Sequence, residues 1–140
     1  MSKTFNVFIS YSHEDKDVVN ELSKQLEAEK ITFWQDSREM IFGNINDSMQ
    51  KGIDDSQSFI CCASTNYCKS ENSIKEFNYA IAIRKPILYV LVEKIKGEDQ
   101  RMEKLKQISF HMAGKIFYKH TDIKIILKAL YLAIDVRSIN

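Results

Sequence analysis

Glycine is nearly missing from this chain: there are four in 140 residues, the first at Gly43. A fold that cradles phosphates on backbone amides needs a glycine-rich turn behind its first strand, so dinucleotide-cradling and P-loop chemistry are excluded. Pro86 is the lone proline, and no Pro- or Gly-rich linker divides the sequence. The three cysteines, Cys61, Cys62 and Cys68, are too few for a disulfide framework. Adjacent Cys61 and Cys62 read as free thiols packed as small hydrophobes, which suits a reducing compartment. No CxxC or HxxxH spacing occurs and His13, His111 and His120 lie far apart, so no metal site is expected. The longest apolar run, Pro86 to Val92, is too short to span a bilayer, and Met1 to Asn6 lacks the apolar segment of a signal peptide. Excess charge of one sign is also lacking: 20 basic against 19 acidic residues leave +1, which argues against nucleic acid or an anionic membrane as partner. A soluble, cytoplasmic protein is expected.

What is present is alternation. The length suits one domain over 1–140, burying roughly 70% of the surface its unfolded chain exposes. Val7-Phe8-Ile9 reads as a strand, followed by Val18, Val19, Leu22 and Leu26 at helical spacing. Ile31 to Trp34 is a second β-favouring run, Asp36 to Asn44 an irregular stretch, and Ile45, Met49 and Ile53 mark a second helix. Ser58 to Ala63 reads as a third strand. A polar loop over Ser64 to Ser73 then leads to a helix carrying Ile74, Phe77 and Ile81. Ile87 to Val92, apolar throughout, suits a central parallel strand covered on both faces. A charged loop from Glu93 to Gln100, a short helix at Met102, Leu105 and Ile108, a fifth strand at Ile116 to Tyr118 and a closing helix from Asp122 to Ile134 complete the reading. The pattern predicts an α/β, flavodoxin-like, doubly wound five-stranded parallel sheet with helices on both faces.

In such a sheet the loops after the strand C-termini share one rim, where ligands bind. Two polar segments meet there: Ser10-Tyr11-Ser12-His13-Glu14-Asp15 after the first strand and Ser64 to Ser73 after the third. Glu76 lies just beyond the second. A phospho-acceptor receiver needs an Asp ending strand three and acidic metal ligands after strand one, and the chain has Cys62-Ala63-Ser64 and Ser10-Tyr11-Ser12 in those places.

Val7 to Asp15 closely resembles the first box of TIR domains, the Toll/interleukin-1 receptor family. The resemblance continues through Phe33-Trp34-Gln35-Asp36, similar to the family's aromatic-x-Asp, and Asp36 to Asn44 with Gly43, similar to its BB loop. Gly52-Ile53-Asp54-Asp55-Ser56, the Ser64-Thr65-Asn66-Tyr67-Cys68-Lys69-Ser70 stretch and Lys85-Pro86-Ile87 follow in family order.

The resemblance implies a function. Many TIR domains cleave the nicotinamide-ribose bond of NAD+ with a glutamate on the third helix, which aligns with Glu76. Nicotinamide leaves a cationic pyridinium as a neutral molecule and needs no proton, so one carboxylate can suffice. It would hold the ribose hydroxyls and stabilise the oxocarbenium-like charge at C1′, yielding nicotinamide and ADP-ribose or a cyclic isomer. NAD+ enters as substrate, and no cofactor is expected. Tyr11, Ser12 and His13 align with positions lining the NAD+ cleft, with Trp34, Asp36, Asn72 and Ser73 as further candidates. Ser12 and His13 stand where some animal members carry arginines. Asn72 stands where NAD-cleaving members often carry tryptophan, which removes a stacking surface.

Each residue also has a plainer reading. Ser73-Ile74-Lys75-Glu76 fits the capping box that satisfies orphan amides at a helix start, Ser12 fits a helix cap, Tyr11 packs on the rim, and Trp34 fits core packing as well as base stacking. Met40, Ile41, Phe42 and Gly43 form a candidate self-association loop, or ordinary loop packing. The resemblance therefore implies an NAD+ nucleosidase activated by self-association with other TIR domains in immune or cell-death signalling. The alternative is a non-enzymatic adaptor working through TIR-TIR assembly.

Overall fold

Val7, Phe8 and Ile9 are fully buried in β1 (Phe5–Ser10), because this strand sits inside a sheet whose two faces are both covered. The computed structural model describes residues 5–35, 45–92 and 117–139, with backbone alone at 45–48, 117 and 134–139. After β1 come a 3-10 turn (His13–Asp15), α1 (Lys16–Ala28), β2 (Phe33–Gln35), α2 (Ile45–Asp54) and β3 (Ser56–Ala63). These are followed by α3 (Thr65–Lys69), α4 (Glu71–Ala82), β4 (Ile87–Leu91), β5 (Phe117–Lys119) and α5 (Ile123–Ile139). The five strands are all parallel, in the order β2-β1-β3-β4-β5. This is the doubly wound sheet expected from the alternating pattern.

The strand order reverses between β1 and β3. From β1 the chain steps to β2 on one side, then crosses back to place β3 on the other. A crevice outside the strand C-termini opens at such a switch point, so the ends of β1 and β3 are where a ligand site belongs.

Alternate residues of each strand serve opposite faces. Val7 and Ile9 of β1, Ile60 and Cys62 of β3 and Val90 of β4 pack with Val19, Leu22 and Leu26 of α1 and Ile126 and Leu130 of α5. On the other face Phe8, Phe59, Cys61, Ala63 and Tyr89 pack with Met49 and Ile53 of α2, Tyr67 and Cys68 of α3, and Phe77 and Ala80 of α4. Phe8 stacks between Trp34 (ring centroids 4.8 Å apart) and Phe59 (5.5 Å). Gly52 admits α2 to this stack, since a Cβ there would lie 3.0 Å from Phe8 Cε2 and from Trp34 Cδ2 and Cε2.

Both α1 and α4 end on a residue in the left-handed region that is not glycine: Lys30 at φ 61° and Arg84 at φ 59°. In each, crossed hydrogen bonds close the helix: Lys30 N to Glu27 O (2.9 Å) with Ile31 N to Leu26 O (3.0 Å), and Arg84 N to Ile81 O (3.0 Å) with Lys85 N to Ala80 O (2.9 Å). These are Schellman closures, which usually carry glycine at that position. Buried Lys85 then donates from Nζ to Ser56 O at 2.7 Å, tying the start of β4 to the start of β3.

Several boundaries differ from the sequence reading. The second strand runs over Phe33–Gln35 rather than from Ile31, with Thr32 engaged instead by Asn6, whose backbone N–H donates to Thr32 Oγ1 and whose Oδ1 accepts from Thr32 N and Oγ1. The segment read as a polar loop holds α3 and the first turn of α4. The irregular stretch Asp36 to Asn44, the charged loop after Val92, the short helix at Met102, Leu105 and Ile108, and Ile116 lie outside the described residues. Among the described residues no helix is long and apolar enough to cross a membrane.

Candidate functional site

Ser10, the last residue of β1, pairs in register with Cys61 of β3, so both side chains stand on the α4 face at the switch point. Ser10 is fully buried and cannot leave its hydroxyl unsatisfied without the cost of burying an unpaired polar group. Its Oγ donates to Glu76 Oε1 at 2.6 Å and lies 2.8 Å from the Tyr67 hydroxyl. A serine has one proton and an ionised carboxylate only accepts. Ser10 therefore donates to Glu76, and the Tyr67 hydroxyl is hydrogen-bonded both to Ser10 and to Cys61.

Tyr67 keeps its proton. Burial raises its phenol well above the ordinary value, and neighbouring Cys61 and Glu76 push it in the same direction. Burial likewise raises the Cys61 and Cys62 thiols, so neither supplies a thiolate nucleophile near neutral pH. Tyr89, in register with Cys61 on the same face, is pushed up to about 12, chiefly by burial. The polar chain Tyr67, Ser10, Glu76 therefore ends in a carboxylate, and the Cys61 sulfur hydrogen-bonded to Tyr67 stays a thiol.

Glu76 is only 6% exposed. It reaches the sheet because α4 begins earlier than the sequence suggested. Ser70 is the N-cap, its side chain accepting from Ser73 N at 3.2 Å, and Glu71 occupies the first turn, where an acid suits the helix dipole. The capping box assigned to Ser73 and Glu76 is thus corrected. Ser73 instead donates its hydroxyl to Tyr11 O at 3.1 Å, which pins α4 to the loop after β1. Glu76, past the first turn, faces inward beside Phe77.

The loop after β1 is fastened a second time. The Asp15 carboxylate accepts from the Ser64 hydroxyl and from Asn66 Nδ2 (2.9 Å), while Ser64 caps α3 by accepting from Tyr67 N (2.9 Å). One acid holds the 3-10 turn against the start of α3, and Tyr67 is aimed at Ser10 by the same cap.

The remaining sequence candidates fall into three groups. Tyr11 is buried on the α1 face, its ring 5.7 Å from that of His13. Ser12 is buried and caps the 3-10 turn through Glu14 N (3.4 Å), whereas His13 and Asn72 are exposed. Trp34 is half-buried, with its ring stacked on Phe8. Asp36, Met40, Ile41, Phe42 and Gly43 lie outside the described residues. Ser10, Tyr67 and Asp15 were not singled out as site residues, although all three lie inside the motif stretches. The available signal was a hydroxyl at a strand C-terminus and a tyrosine inside an otherwise polar stretch. Among the described residues, no group of three His, Cys, Asp or Glu side chains could hold a metal ion.

Comparison with known proteins gives this geometry a family. A family model described as TIR domain matches residues 7–121. Among solved structures, the TIR domain of the Toll-related receptor TRR-2 from Hydra magnipapillata is similar with TM-score 0.70 and 21% identity, over 94% of this chain and 99% of that one. The TIR domains of the activated Roq1 resistosome recognising the effector XopQ match with TM-score 0.60 and 17% identity, over 98% and 86%. The RPS4 and RRS1 TIR domain heterodimer matches with TM-score 0.61 and 14% identity, over 91% and 96%. At these identities the likeness is one of fold. A search of curated proteins found no match.

Proposed function

The chain belongs to the TIR domain family, and from that membership we propose that it is an NAD+ nucleosidase whose acid is Glu76. The observation that carries this reading is the carboxylate at the β1/β3 switch point, turned inward onto Ser10 at 2.6 Å rather than used to cap its own helix.

The chemistry follows from charge. As the bond between C1′ and the pyridinium nitrogen lengthens, its electron pair leaves with nicotinamide and the ribose gains oxocarbenium character. A fixed anion in a mostly dehydrated site stabilises that charge more than one in bulk water. Glu76 would also accept hydrogen bonds from the ribose hydroxyls, orienting C1′ for attack by water or by another nucleophile of the substrate itself. The first outcome gives ADP-ribose and the second a cyclic isomer. Cys61 and Cys62 are held as thiols and the Asp15 carboxylate is engaged by Ser64 and Asn66, so this reading assigns the task to Glu76.

The decisive measurement is incubation of concentrated or surface-crowded protein with NAD+, following nicotinamide by chromatography. Wild-type protein should release it, and Glu76→Gln should lose at least a hundredfold in rate while melting normally. Equal release from both would remove Glu76 from the chemistry, and no release from crowded wild-type protein would remove the activity.

A second reading, signalling by TIR-TIR assembly without catalysis, is favoured by the assemblies named for the solved relatives, a heterodimer and a resistosome. The two are separable. In an adaptor, Phe42→Ala abolishes self-association and Glu76→Gln changes nothing.

A further inference from the structure

A buried acid is useful only if its orientation is held against the sheet, and two hydroxyls sit where they can do this. Ser10 Oγ lies 2.6 Å from Glu76 Oε1 and 2.8 Å from Tyr67 Oη, and both Ser10 and Tyr67 are fully buried. The three residues come from β1, α3 and α4, so the chain of hydrogen bonds spans three separate elements at the switch point. Ser10 donates to Glu76, and the Tyr67 hydroxyl is hydrogen-bonded to Ser10 on one side and to Cys61 on the other. Tyr67 in turn has little freedom, because its own backbone N–H closes the α3 cap on Ser64.

Such an arrangement differs from ordinary core satisfaction in where it ends. A hydroxyl buried for structure alone is commonly satisfied by a nearby carbonyl, as Ser23 is by Val19 O (3.1 Å) and Ser56 by Gly52 O (2.7 Å). Ser10 bypasses that local solution and spends its proton on a carboxylate 66 positions away. The hydrogen bond is charge-assisted, hence short and directional, and it fixes the plane in which the carboxylate presents itself.

We infer that Ser10, with Tyr67 behind it, is a positioning residue for Glu76: a serial two-hydroxyl relay that sets the carboxylate's orientation for the developing ribose cation. The inference rests on the nucleosidase reading above. Ser10 touches the acid and not the substrate, so its loss acts on the chemical step and leaves binding nearly intact. Tyr67 reaches the acid by hydrogen bond through Ser10 and is tied to Cys61 on its other side.

The test is steady-state kinetics of NAD+ cleavage by the crowded protein, with melting curves for each variant. Ser10→Ala should lower kcat roughly tenfold to a hundredfold, the range a misplaced catalytic group produces, with KM changed less than twofold. Ser10→Thr keeps the donor and should recover kcat to within about threefold of wild type, whereas Ser10→Val, which fills the same volume without a donor, should not. Tyr67→Phe leaves the ring in place and should cost kcat severalfold, yet add nothing in a Ser10→Ala background. The role is overturned if Ser10→Ala folds and turns over like wild type, if its loss falls in KM, if Thr does not restore it, or if the two losses multiply. Absence of cleavage by the wild-type protein itself would remove the nucleosidase reading and the positioning role together, a result distinguished by the wild-type arm alone.

Discussion

Neighbouring residues of one strand meet very different company on the two faces of this sheet. Val7 and Ile9 enter a layer dominated by aliphatic side chains from α1 and α5. Phe8 and Ser10 enter a layer of stacked aromatics that ends, at the strand C-terminus, in Tyr67 and Glu76. Among the described residues, the α4 face carries a buried acid hydrogen-bonded to a buried hydroxyl from another element. The aliphatic face contributes burial that is tolerant of detail, whereas the α4 face accepts the cost of buried polar groups at the one end where the strand order reverses.

The largest test of that contrast is Leu26→Ala on the aliphatic face. Leu26 is fully buried, and truncation should cost about 2–5 kcal/mol by urea unfolding while leaving the Glu76 neighbourhood and any NAD+ turnover per folded molecule unchanged. A change in turnover would mean the faces are coupled.

Alkaline titration compares the faces through adjacent thiols, Cys61 on the α4 side and Cys62 on the α1 side. Both are raised in the fold, chiefly by burial. Their stability contribution is therefore fully present below the unfolded thiol value of about 8.5 and is lost as pH rises from there toward the folded values, because the unfolded chain sheds protons the fold retains. Each thiol should steepen the fall by about 1.4 kcal/mol per pH unit. Cys61→Ala and Cys62→Ala should each flatten the slope between pH 9 and 10 by that amount, equally, since the slope depends on which state holds the proton and not on how far the value is raised. Unequal slopes would show that one thiol ionises within the fold.

Gly52→Ala probes the aromatic stack alone. The new methyl meets Phe8 and Trp34 at 3.0 Å, and overpacking of about 1–3 kcal/mol should exceed the roughly 1 kcal/mol that alanine gains in a helix. A thermal melt above wild type would mean the stack yields freely. The smallest effect is expected at the helix ends, where Lys30→Gly behind α1 and Arg84→Gly behind α4 each relieve a left-handed side chain. Each should raise stability by up to about 1 kcal/mol, an increment of similar size on the two faces.

Much of the fold was legible because parallel strands buried on both sides write themselves as unbroken apolar runs, as at Ile87–Leu91. Five residues of α3 were not, since Thr65–Lys69 is too short to show a helical period. The start of α4 was misread because two serines three residues apart each look like a cap. Ser70 won because Ser73 is committed to Tyr11 O across the cleft, a partner 62 positions away that no local pattern reveals. The ends of α1 and α4 were hidden by the shortage of glycine, which left lysine and arginine to take the left-handed turn. Glu76 itself was legible through family likeness, while Ser10 resembled any small residue at a strand's end.

Ser70 carries a consequence for how that acid can be tuned. It is at once the C-cap of α3 and the N-cap of α4, with φ −86° and ψ 113°, so a single pair of torsions separates two helices that otherwise read as one. Glu76 stands six residues along the second, about 9 Å by helical rise. That makes Ser70 the fulcrum of a short lever whose far end is the carboxylate and whose stop is Ser73 against Tyr11 O. Twisting the fulcrum by a few degrees shifts the acid by a fraction of an ångström, so substitutions at an unremarkable bend can retune the chemistry without altering any residue near the reacting bond.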